Sequence, residues 1–155
     1  MYTTRMSQST TSETPSLQEA VASLTSDFAL LENWNDRYEH IIGLGRELPP
    51  YPEEHREEAY EVQGCQSRVW LYPEWRNGKL YFHADSDAVI TKGLVAMLVQ
   101  LYSGRTPEEM MTGSLDFLKE IGLTSHLTPS RVNGLQAMFM KIQQYAAQHQ
   151  QGETS

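Results

Sequence analysis

Cysteine is nearly absent from this 155-residue chain: there is one, Cys65. Counting alone therefore excludes an internal disulfide, a CxxC redox pair and a four-thiolate metal site. Long apolar runs are missing too, and no stretch approaches the roughly 20 residues needed to span a bilayer. The N-terminus lacks the basic start, apolar run and small-residue cleavage site of a signal peptide. With a single cysteine, that pattern leads us to expect a reducing compartment, the cytoplasm. Basic residues are in short supply, with 12 Lys and Arg against 20 Asp and Glu and a formal net charge of −8. This balance opposes phosphate backbones and anionic lipid surfaces, so neither nucleic acid nor membrane is an expected partner. What is present, 39% hydrophobic and 21% charged residues, is the composition of an ordinary soluble globule with enough length for one core.

The solitary cysteine sits in an unusual place. Free cysteine behaves as a small hydrophobe and is among the most buried residue types, yet here Gln63, Gly64, Gln66 and Ser67 surround it. These neighbours prefer water or special backbone angles, which suits a turn and an accessible thiol. Gly64 also removes a side chain beside the sulfur, leaving room for another backbone to approach. Any sulfur partner of Cys65 must come from another molecule.

In chain order, residues 1–16 are rich in Ser and Thr without an apolar period and are expected to form a flexible arm. A single domain over 17–148 follows, and 149–155 is expected to be a disordered tail. Leu17, Val21, Leu24, Phe28 and Leu31 recur at helical spacing, and Trp34, Tyr38, Ile41, Ile42 and Leu48 mark a second helix. The prolines at 49, 50 and 52 stop it, after which Pro52-Glu53-Glu54-His55 predicts a short acidic helix. His55 among carboxylates reads as a solvated face, and no metal site is expected. Val69–Tyr72 and Leu80–His83 predict two strands joined through Asn77-Gly78, with Tyr60–Gln63 a candidate third. A long helix is predicted from Asp87 to Ser103, capped by Asp85 or Ser86 and stopped by Gly104. Thr106-Pro107-Glu108-Glu109 predicts a capping box, Ser114–Ile121 a short helix, and Thr128-Pro129 the start of the last helix. The resulting fold class is α+β: a small antiparallel sheet of about three strands with helices on one face.

Three blocks carry a family resemblance: Gly64-Cys65-Gln66-Ser67-Arg68-Val69-Trp70, Asp85 to Leu94, and His126 to Leu135. In order and spacing they resemble the signature blocks of the SufE family, sulfur acceptors that work with cysteine desulfurases. The form of the first block is nearer to SufE proper than to the CsdE branch. The resemblance implies an architecture like that of the IscU iron–sulfur scaffolds. It implies that Cys65 takes persulfide sulfur from a SufS-type desulfurase, stimulates that enzyme and passes the sulfur to a SufB-type scaffold for iron–sulfur cluster assembly. It also implies a thiol sheltered in a shallow pocket until a partner docks. No cofactor of its own is expected, since pyridoxal phosphate belongs to the desulfurase. No independent turnover is expected either.

Within that frame Cys65 is the persulfide-forming residue, and Gln66, Ser67 and Arg68 shape its loop. Arg131 falls in the first turn of the last helix, where the dipole disfavours a cation. An anion or an acidic partner surface explains the placement, and the resemblance assigns this arginine to desulfurase docking. An ordinary solvated or internally paired arginine is the competing account. Asp85 and Asp87 suit a helix start whatever they bind, and the resemblance places their turn beside the cysteine loop. Trp70 reads as core. His83 and His126 are candidates for the neighbourhood of the thiol. A cysteine hydrolase would need a histidine oriented on Cys65, an iron–sulfur scaffold would need more thiolates than one, and a redox-sensing or binding module would use the same loop.

Overall fold

The computed structural model of the chain describes residues 15–154, with side chains as far as Gln150. The expected arm thus lies largely outside the described residues. Its last two positions are held: Ser16 caps the first helix through a capping box with Glu19, and the Pro15 carbonyl accepts from Arg105 at 2.9 Å.

Helices α1 (Leu17–Ala29) and α2 (Trp34–Arg46) form as expected, and Phe28 of α1 meets the His40 ring of α2 edge-on. The predicted acidic helix after Pro52 is instead two 3-10 turns, Glu53–His55 and Glu58–Tyr60. Strands β1 (Val69–Arg76) and β2 (Lys79–Ser86) pair antiparallel through a two-residue turn in which Asn77 and Gly78 both take positive φ, 54° and 80°. That is the geometry for which Asn-Gly is selected. Both strands run longer than predicted, because Pro73 does not end β1. It stands opposite Phe82, whose N–H points away to Ser103 Oγ at 2.9 Å, so the missing proline donor costs no rung. The candidate third strand contributes a single rung, Glu61 opposite Trp70, and among the described residues the sheet has two strands.

The long helix α3 (Val89–Tyr102) starts two residues later than predicted, since Asp85 and Ser86 still belong to β2. Ser86 Oγ nevertheless accepts the N–H of Ala88, the residue at the cap. Helix α4 (Pro107–Met111) is capped by Thr106, but Glu109 does not complete the box; its carboxylate takes Arg105 and the Leu17 N–H. A short α5 (Phe117–Glu120) precedes α6 (Pro129–Thr154). This last helix passes the expected tail boundary, because its Gln, Ala and His residues include no stop before Gly152.

The sheet has two unlike faces. Leu71, Leu80, Phe82 and Ala84 are buried under the helices, where Tyr145 of α6 donates to the Leu71 carbonyl and stands beside Phe82. Trp70, Tyr72, His83 and Asp85 share the opposite face, covered by the 51–60 segment: His55 stacks on Tyr72 with centroids 3.8 Å apart. Helices α2 and α3 cross at two glycines. A Cβ on Gly93 would lie 2.2 Å from the Ile41 carbonyl oxygen, and one on Gly45 would lie 2.9 Å from Gly93 N. That contact leaves no room for a methyl group. Gly93→Ala is therefore expected to destabilise the fold by about 1–3 kcal/mol, measured by urea unfolding; an unchanged midpoint would show that the crossing is looser.

Candidate functional site

Cys65 lies in the turn between the 3-10 segment and β1. The turn exists because Gly64 adopts φ +94°, a conformation other residues rarely take, and an added Cβ there would lie 3.4 Å from the Ala137 side chain of α6. Position 64 requires that backbone conformation whether or not a partner approaches. From there the chain drops Cys65 against α6, where its thiol donates to the Gly134 carbonyl at 3.7 Å. Gly134 itself is buried, and a Cβ there would lie 3.5 Å from the sulfur.

Two anchors hold the turn. On one side, Gln66 accepts from Ser130 Oγ at 3.1 Å, tying the loop to the start of α6. On the other, the Asp87 carboxylate accepts the Arg68 N–H at 3.1 Å while the Asp87 N–H donates to the Arg68 carbonyl. The Arg68 guanidinium grips Glu61 with two donors and lies over Trp70. Arg56 lies over the same ring and over Tyr51, and it bridges Glu53 and Asp85. Asp85 thus sits back from the thiol, joined to Arg56 and Lys92. Burial alone would raise its pKa, but the Ser86 N–H, Arg56 and Lys92 outweigh that and hold the carboxyl below its usual range.

The sulfur opens onto a cavity of about 210 Å³. The loop contributes Cys65, Gln66 and Ser67, α3 contributes Thr91 and Leu94, and the start of α6 contributes Thr128, Ser130, Arg131, Gly134 and Met138. Cys65 and Arg131, 66 positions apart, are thereby brought to one cavity. Among the described residues the exposed Arg131 guanidinium makes no hydrogen bond or ion pair, which removes internal pairing as an account of it. Its backbone N–H is engaged, donating to Thr128 Oγ1.

No histidine joins them. His83 bonds Glu74 at 2.8 Å, His126 stacks on Trp34, and His55, His40 and His149 pack on Tyr72, Phe28 and Trp75. Neither candidate, His83 or His126, lines the cavity, so the hydrolase reading finds no histidine base there. No group of three metal-ligating side chains occurs among the described residues, and no helix among them is long and apolar enough to cross a membrane. Sequence reasoning missed Thr91 and Ser130. Thr91 shares a helix face with Leu94 by its three-residue spacing, but nothing in the sequence aims that face at Cys65.

Fold and site together define a small α+β protein that keeps one thiol in a polar cavity beside a free arginine. The profile described as "SufE: Fe-S metabolism associated domain" matches residues 22–146, and the chain belongs to the SufE family. It is 40% identical over 128 residues to an uncharacterized SufE-like protein of Rhizobium meliloti, covering 79% of this chain and 91% of that one. It is 41% identical over 117 residues to the sulfur acceptor protein CsdE of Escherichia coli, covering 74% of this chain and 80% of that one. The solution structure of a hypothetical protein from Thermus thermophilus superposes with a TM-score of 0.71 at 21% identity, over 83% and 94% of the two chains, which supports the fold.

Burial pushes the pKa of the Cys65 thiol above its ordinary value. Its alkylation by iodoacetamide is expected to be slower in the folded protein than in urea, with a pH midpoint shifted upward. By linkage, the raised folded value gives stability that is present below the unfolded thiol's pKa and lost as pH rises through the folded one. Equal folded and unfolded alkylation profiles would show the thiol to be fully solvated.

Proposed function

We propose that this protein is a persulfide carrier: Cys65 accepts sulfane sulfur from a cysteine desulfurase, relieves that enzyme of it and delivers it to an iron–sulfur assembly scaffold. The observation that carries the reading is the pairing of a solitary half-sheltered thiol with an unpartnered arginine at the mouth of one cavity. Membership of a family with a named sulfur acceptor at 41% identity supports it. The form of the first motif favours a SufS-type donor and a SufB-type recipient. As in thiol–disulfide exchange, the Cys65 thiolate attacks the outer sulfur of the donor persulfide, and the donor cysteine leaves as thiolate. A thiol raised by burial is a poor nucleophile while it rests, so docking must uncover it. Arg131 supplies an exposed cation for an acidic surface on the desulfurase. A freely acting redox sensor would instead want a low, accessible thiol.

Incubation with a SufS-type desulfurase and cysteine is expected to add one sulfur to the intact mass, reversed by reductant and absent from Cys65→Ser. An unchanged mass in the wild type would refute the reading. Asp87 acts as the catch on the loop, holding both backbone groups of Arg68. Asp87→Ala is expected to speed alkylation of Cys65 by about fivefold or more, the scale of a charge-assisted hydrogen bond. An unchanged alkylation rate would assign the catch elsewhere.

A further inference from the structure

Thr91, in the first turn of α3, is only 7% exposed and lines the cavity that holds Cys65. Among the described residues its hydroxyl has no hydrogen-bond partner. The cause is positional. A helical threonine ordinarily donates to the carbonyl four residues back, as Thr25 of α1 does to Val21 at 2.9 Å. For Thr91 that residue is Asp87, which precedes the helix and is turned toward Arg68. The hydroxyl is not sealed off, so without a protein partner it can bond only to what enters the cavity.

Loading changes what the cavity contains. The new bond from Cys65 Sγ to the transferred sulfur forms as the donor's own sulfur–sulfur bond breaks, and that electron pair leaves on the donor thiolate, so no oxidant is consumed. The transferred atom then extends about 2 Å beyond Sγ, well within a space of about 210 Å³. Resting on the carrier reading above, we propose that Thr91 is a positioning residue for the loaded state: its hydroxyl donates to the outer sulfur of the Cys65 persulfide and keeps that sulfur inside the cavity. Arg131, exposed at the mouth, faces a docking partner; Thr91, almost fully buried, meets only the cargo. A hydrogen bond to a sulfur bearing negative charge is of the stronger, charge-assisted kind.

Cyanide tests this directly, because it removes only the outer sulfur, giving thiocyanate and the free Cys65 thiol. Wild type, Thr91→Val and Thr91→Ser would each be loaded with a desulfurase and cysteine, freed of both and followed by thiocyanate release. Thr91→Val, which keeps the shape and loses the hydroxyl, is expected to release sulfur about fivefold faster, the effect of one lost hydrogen bond. Thr91→Ser is expected to match wild type, and iodoacetamide alkylation of the unloaded thiol is expected to be the same in all three. Equal release from Thr91→Val and wild type would overturn the role of Thr91 while leaving the carrier reading intact, as would a Thr91→Ser variant as leaky as Thr91→Val, which would assign the effect to packing. A wild type that acquires no sulfur would overturn the carrier reading and this inference with it.

Discussion

The site depends on how the Cys65 turn is seated against the start of the last helix. The sulfur approaches the Gly134 carbonyl at 3.7 Å, and Gly64 reaches the same helix only through a backbone angle of +94°. Neither contact survives unless the turn is gripped at both ends, by Ser130 on Gln66 and by Asp87 on Arg68. The first is one hydrogen bond and the second a pair, each bond of modest net strength. A seat held this way shelters the thiol and is light enough to be released on docking, as the transfer proposed above would require.

Behind the loop the structure is much stiffer. Trp70 lies between the Arg56 and Arg68 guanidinium groups, and each arginine is in turn held by carboxylates. Pairs at partly exposed positions contribute little one by one, but here they share one aromatic ring and two strands, so they act as a network. On the other side, the α2–α3 crossing closes over two glycines and fixes the helix that brings Thr91 to the cavity.

Much of this was legible in one dimension. Asn77-Gly78 between aromatic and branched runs specified the hairpin, since few other pairs tolerate positive φ at both positions. Thr106-Pro107 and Thr128-Pro129 marked helix starts, and the apolar stripe of α3 marked its buried side. Other features misled. Pro73 looked like the end of a strand, because pairing parity, on which its tolerance depends, is not written locally. His55 looked like part of a solvated acidic face, whereas it stacks on Tyr72, a partner supplied by β1. The polar tail looked ready to fray but carries α6 to Thr154.

The sequence by itself determined that there is one sulfur nucleophile, in a polar turn opened by glycine, within the family to which the chain belongs. Counting and local backbone preference suffice for that, because both are properties of neighbours along the chain. Only the tertiary structure decided which groups share that sulfur's cavity: Thr91 and Arg131 rather than any histidine, with burial raising the thiol instead of activating it. Such facts depend on how α3 and α6 pack beside the turn, and packing joins residues that no spacing rule relates.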